Sequence, residues 1–262
     1  MRALQTAATG MMAQELNVEV ISNNIANMRT TGYKRQRAEF QDLLYEQLSR
    51  VGTQTSQSGT ILPAGIELGS GVKTAGTPRI MTQGSLLPTS NTFDVAIRGE
   101  GMFQVLLPDG RTAYTRDGSF SLDAQGRIVT AQGYVVQPGL TIPQNATSTT
   151  ISPQGQVQVT LPNSNTTTQV GQLPLTLFVN KAGLQAIGDN LYLETPASGP
   201  PQNGTPALEG FGDLQQGNLE QANVEAVSEI SDLIGAQRAY EMNAKVITAA
   251  DQMLQATSSL SR

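Results

Sequence analysis

Asp117, Ser119, Ser121 and Asp123 alternate along the chain as the first oxygen ligands of a calcium loop do. The glycine at the sixth loop position and the closing glutamate are missing, so a turn leading into a strand accounts for the run. Gly99-Glu100-Gly101 begins like a dinucleotide-binding turn but lacks the third glycine and the strand-turn-helix setting, which leaves a strand kink. Asp94, Glu100 and Asp117 are of the residue type that hydrolyses glycosides in pairs, yet nothing in the sequence fixes their separation. Lys34, Arg35 and Arg37 form the basic cluster; without interleaved aromatics it reads as a solvated or subunit-pairing face rather than a phosphate site. Asn145-Ala146-Thr147 and Asn165-Thr166-Thr167 match a glycosylation sequon, a pattern frequent by chance in a Thr-rich chain.

The 262 residues contain no histidine, no cysteine and no tryptophan. That removes the commonest general base, the commonest transition-metal ligand and the Ser-His and Cys-His nucleophile pairs together. A thiol-free chain is indifferent to redox compartment. With 16 basic against 21 acidic residues it has no nucleic-acid footprint. The expectation is a chain with no catalytic residues, no cofactor, no metal and no small-molecule substrate: not an enzyme. Behind Met1 there is no apolar stretch of signal-peptide kind, and no run approaches the ~18 apolar residues of a membrane span.

The elements are more informative than the isolated residues. Leu4, Met11, Val18 and Ile25 fall seven apart, and Ala7, Gln14, Ile21 and Met28 follow each by three, a heptad pattern that stops at the turn-prone run Asn27 to Gly32. Near the other end Leu233, Tyr240, Ile247 and Leu254 are again seven apart, with Ile230 and Ala244 in a second column continued less well by Gln237 and Asp251. Asn223 is placed to N-cap this second helix. Heptads at both termini predict that the ends pair with each other.

Between them the period becomes strand-like. From Phe93 to Gln137 short apolar runs are separated by Asp109-Gly110, Asp117-Gly118, Gln125-Gly126 and Gln132-Gly133, and Asp-Gly between alternating apolar residues is a hairpin signal. Residues 46–71, rich in Gly, Ser, Thr and Gln, and the Pro-rich residues 196–206 fit no packed element. The expected fold is α+β: terminal helices pairing as a coiled coil, with a central antiparallel β domain inserted between them. The expected domains are 1–32 with 223–262 (helical), 33–74 (extended linker) and 75–222 (mainly β).

The stretch Val20-Ile21-Ser22-Asn23-Asn24-Ile25-Ala26-Asn27, followed by Thr30, Gly32 and Tyr33, resembles the N-terminal signature of flagellar rod and hook proteins. Asp94-Val95-Ala96-Ile97 and Tyr114-Thr115-Arg116-Asp117-Gly118 look like that family's β domain. Gly217-Asn218-Leu219-Glu220 and Ala236-Gln237-Arg238-Ala239-Tyr240 look like its C-terminal segment. Arg29 departs from the pattern, standing where relatives carry a small polar residue. Within the family, chain length and the 46–71 segment look like the distal-rod branch.

The resemblance implies a structural subunit that self-assembles into a hollow, rigid rod, a drive shaft crossing the periplasm between proximal rod and hook. Its partners would be further copies of itself, proximal-rod proteins, hook protein, the surrounding ring proteins and the flagellar export apparatus, and it would be exported without cleavage of a signal peptide. A hook or proximal-rod subunit is the neighbouring reading. A secreted protein that binds or cuts cell-wall glycan is the reading from a different class. The assembly seam would then be Leu4, Met11, Val18, Ile21 and Ile25 with Ile230, Leu233, Tyr240, Ile247 and Leu254. Asn24, Asn27, Thr30, Gly32 and Tyr33 would be the family motif.

Overall fold

The computed structural model describes residues 2–49, 64–162 and 166–260. The chain is α+β. Helix α1 spans Arg2–Ala26, helix α2 spans Ala226–Leu260, and every paired strand between them is antiparallel among the described residues. Two compact units can be separated. The first holds the described residues of Met1–Ile25, Gln36–Pro78 and Glu225–Arg262; the second holds Ala26–Arg35 and those of Arg79–Val224.

In the first unit both helices are free of proline, and each carries a single glycine, Gly10 in α1 and Gly235 in α2. They pack antiparallel. Asn24 Nδ2 donates to Glu229 Oε2 at 3.1 Å, and a Cβ on Gly10 would come within 2.8 Å of Asn243 Nδ2. The same number of residues separates 10 from 24 and 229 from 243, so the two helices keep one register between these layers. Of residues 33–74, expected as a linker, the described part is largely a two-part β ribbon. Glu39–Asp42 pairs with Val72–Gly76 and Tyr45–Ser49 with Ile66–Gly69, joined by Leu43 N–H to Gly71 O (2.8 Å) and Ser70 N–H to Leu44 O (3.3 Å). Such a segment has too little apolar bulk for a core, but pairing its backbone with itself satisfies its N–H and C=O groups. The ribbon lies along α1: Val72 N–H reaches Thr9 Oγ1 at 3.3 Å, and Arg2 and Glu46 form an ion pair at 2.6 Å. The centre of the 46–71 segment, residues 50–63, lies outside the described residues.

The second unit is built on a seven-stranded sheet in the order 185–188, 191–193, 112–115, 103–106, 135–136, 128–129, 121–122. A three-stranded sheet (148–151, 156–160, 167–172) and several strand pairs complete it. Its core is apolar, with Val95, Ile97, Phe103, Phe120, Val157 and Leu175 among the buried residues, and Phe103 meets Phe120 edge-on at 5.0 Å. Asp109-Gly110, Gln125-Gly126 and Gln132-Gly133 turn hairpins, each glycine at positive φ (84°, 79° and 87°). Asp117-Gly118 does not. Gly118 is needed because a Cβ there would fall on the Val95 carbonyl oxygen, where the two chains cross closely. Residues 196–206 are also held rather than loose: Gln202–Gly204 pairs with Leu175–Leu177, and Ser198 is fully buried, its hydroxyl donating to Thr195 O at 2.8 Å.

Candidate assembly surface

The surface of the helix pair follows from which side chains face inward. In α1 the buried residues are Ala7, Ala13, Val20, Ile21 and Asn24; in α2 they are Glu229, Ala236 and Ala250. Alanine, asparagine and glutamate dominate this set, so the helix contact removes little apolar area from water. What stays outside is large: Met12, Val227, Met242 and Met253 are each more than 60% exposed, and Ile230, Ile234, Tyr240, Val246 and Leu254 nearly half. The ribbon adds Leu44, Tyr45, Leu48 and Ile66, all exposed by more than half. Apolar exposure on this scale marks a surface that other protein covers.

The residues expected to form a seam divide accordingly. Ile21 is buried; Leu4, Met11, Val18, Ile25, Leu233 and Ile247 are half-buried; Ile230, Tyr240 and Leu254 are exposed. In α2 the second buried column is Glu229, Ala236 and Ala250 with the half-buried Asn243, one residue away from the expected Ile230, Gln237, Ala244 and Asp251. The shift follows from what lies across from each residue: the column is set where α2 meets α1, at Glu229 opposite Asn24 and Asn243 opposite Gly10, and not by the spacing of the large apolar residues. One flank forms an open groove lined by Glu15, Val18 and Glu19 of α1 and Gln237, Tyr240 and Glu241 of α2.

Asn24 has a structural task. It is 1% exposed, its Nδ2 donates to Gln36 O at 2.8 Å and its Oδ1 accepts Gln36 N–H at 2.9 Å. The amide therefore mimics a strand partner and fixes where the chain leaves the turn. Within the second unit the rest of the motif builds that turn. Asn27 O accepts Thr30 N–H (3.0 Å), Thr30 O accepts Tyr33 N–H (3.3 Å), and Tyr33 is buried. Gly32 sits at φ 68°, donates its N–H to Glu220 O (2.8 Å) and approaches the Arg116–Asp117 backbone so closely that a Cβ would lie 2.8 Å from Asp117 N.

Lys34 was expected on a solvated or subunit-pairing face and is instead 1% exposed. Its Nζ lies 2.6 Å from Glu220 Oε1 and donates to Thr82 O at 2.8 Å. Arg116 Nε meets Glu220 Oε2 at 2.7 Å, and its other nitrogens donate to Gly101 O (2.6 Å) and Gly99 O (2.7 Å). Gly99-Glu100-Gly101 is thus a kink whose positive φ values (105° and 143° at the glycines) turn carbonyls toward a guanidinium. Burial opposes ionisation of Glu220, but the Arg116 and Lys34 cations, with hydrogen bonds from Lys34 and Gly84, outweigh it and hold the carboxyl below the usual carboxylate range. Burial likewise pushes the Lys34 ammonium down, against the pull of Glu220. With two cations facing one anion, the Glu220 carboxylate is the better compensated member of the cluster.

No local pattern pairs Glu220 with a lysine 186 residues away. Asn223 was also misplaced by local reasoning: it does not cap α2, which starts at Ala226. It accepts Arg35 N–H at 2.8 Å and donates to Ile80 O at 2.7 Å.

The carboxylates that could have done chemistry have structural partners. Asp94 accepts from Thr89 (2.7 Å) and Asn91 (2.9 Å), Asp117 from the N–H and hydroxyl of Ser119, and Asp123 from the N–H groups of Gln125 and Arg127; Glu100 pairs with Lys181. Among the described residues no acidic group is spaced to hold a metal ion, and no helix is long and apolar enough to cross a membrane. Asn165 of the second sequon lies outside the described residues.

Comparison with known proteins matches three segments of the chain. Residues 4–34 match the family described as Flagella basal body rod protein, residues 96–159 the Flagellar hook protein FlgE/F/G D1 domain, and residues 215–260 the Flagellar basal body rod FlgEFG protein C-terminal family. The chain is 59% identical to the Flagellar basal-body rod protein FlgG of Caulobacter vibrioides, covering 99% of each. It is 52% identical to that of Agrobacterium fabrum (97% of each) and 36% identical to that of Bacillus subtilis (100% of each).

Proposed function

The chain belongs to the flagellar basal-body rod protein family, and from that membership we propose that it forms the distal part of the rod, a hollow, rigid drive shaft built from copies of itself. The observation that carries the reading is the helix pair, whose contact line is small and polar and whose large apolar side chains face outward. A chain that leaves Val227, Met242 and Met253 in water gains by stacking against its like. Each surface differs from its partner surface in such a stack, so the contact is heterologous and generates a tube or filament rather than a closed pair.

The neighbours are proximal-rod proteins at one end, hook protein at the other, ring proteins around the outside and the export apparatus through which the subunit travels. The location is the periplasm-spanning rod. The function is mechanical rather than enzymatic: the carboxylates of the β unit are engaged in turns and ion pairs that hold the subunit's shape.

The test is direct. Purified protein, concentrated and viewed by electron microscopy, is expected to form hollow tubes. Release of sugar fragments from peptidoglycan, with no tubes under any assembly condition, would instead favour a glycan-acting protein.

A further inference from the structure

Five exposed arginines, Arg2, Arg37, Arg98, Arg111 and Arg127, reach carboxylates of their own chain, whereas the exposed Arg29 and Lys73 make no ion pair among the described residues. On the helix pair the unpaired exposed charges fall on two separate surfaces. Glu15 and Glu19 on α1, and Arg238 and Lys245 on α2, are exposed, and none makes an ion pair or side-chain hydrogen bond among the described residues. Glu15 and Glu19 are one helical turn apart and border the groove with Val18 and Tyr240. Arg238 and Lys245 are two turns apart, following Ile234, which is 45% exposed.

Each of the two cations stands two residues beyond a member of the contact column, Ala236 and Asn243. At about 100° per residue that turns them roughly 200° away from α1. One chain therefore cannot bring its own cations to its own groove. A second copy can. Glu241, three residues from Arg238 and four from Lys245, borders both surfaces and joins the acidic lining of the groove.

We propose that the outer face of α2, carrying Ile234, Arg238 and Lys245, seats on the groove of the next copy, with its cations against Glu15 and Glu19 and its apolar residue over Val18 and Tyr240. This rests on the reading of the chain as a self-assembling rod subunit and names the surfaces that meet. The donor face and the acceptor groove are different parts of the molecule, so the contact repeats without closing.

Two charge-reversal variants test it: Glu15→Lys with Glu19→Lys, and Arg238→Glu with Lys245→Glu. Each alone opposes like charges across the contact and is expected to lower the polymer pelleted at low salt by about tenfold or more. An equimolar mixture of the two restores opposite charges at every contact and is expected to pellet as mixed tubes. The chain carrying all four changes is expected to assemble by itself. Circular dichroism matching wild type shows that each variant keeps its helices and β unit. The proposal is overturned if either pair variant assembles like wild type, or if the mixture and the fourfold variant both stay soluble while wild type forms tubes. Wild-type protein that never polymerises would count against the rod reading itself.

Discussion

Lys34 Nζ lies 2.6 Å from Glu220 Oε1, and 186 residues of chain separate them. Arg116 closes the same carboxylate from its other oxygen, at 2.7 Å. One buried anion thus holds the turn after α1, the strand end at Arg116 and, through Gly84 N–H at 2.9 Å, a further loop. Removing it leaves two cations without a counter-charge in a place where water cannot replace it.

Glu220→Gln keeps the shape and deletes the charge. The expected loss is about 3–5 kcal/mol of stability in the β unit, the usual result of breaking a buried pair from one side. The wild type should also be acid-sensitive in a way the variant is not. The Glu220 carboxyl is held below its unfolded value, so its contribution is complete above the unfolded value near about 4.3 and disappears as pH falls through the lower folded value. Urea titrations of both proteins between pH 3 and 7 read the difference. Parallel curves would mean that Glu220 is not ionised in the folded chain.

Asn24→Ala removes both hydrogen bonds to the Gln36 backbone and orphans that backbone in a partly buried place. The expected cost is about 1–3 kcal/mol, read locally as faster amide exchange at Gln36. Asn24→Asp is expected to be worse than alanine, since it loses the donor and sets a second carboxylate against Glu229. Unchanged exchange at Gln36 in both variants would show that the clamp contributes nothing.

Gly118→Ala should be among the most damaging single methyl additions in the molecule. The new Cβ would meet the Val95 carbonyl, a backbone atom that cannot swing aside. A loss of roughly 4 kcal/mol or more is expected from chemical denaturation. Gly110→Ala offers the comparison: it meets nothing within 4 Å and pays only for its φ of 84°, so a smaller loss is expected.

Leu233→Asp and Ile247→Asp place charges on half-buried positions of α2. They are expected to abolish tube formation while the β unit, to which neither residue belongs, melts as in wild type. Tubes of normal length from either variant would exclude this stripe of α2 as an assembly surface.

Much of this molecule was legible in one dimension because its determinants are local. Heptad spacing marks α1 and α2, alternation with Gln-Gly and Asp-Gly pairs marks the hairpins at 109–110, 125–126 and 132–133, and the missing histidine and cysteine remove whole classes of chemistry. These signals lie within a few residues, where backbone geometry repeats. The tertiary structure decided what depends on distant partners. It buried Lys34 by supplying Glu220, drew Asn223 from helix capping to Arg35 and Ile80, and folded residues 39–49 and 66–76 into a ribbon along α1. It also moved the contact column of α2 by one residue, to Ala236 and Asn243, because the column is set by the α1 residues opposite, Asn24 and Gly10, which the heptad spacing of α2 alone does not see.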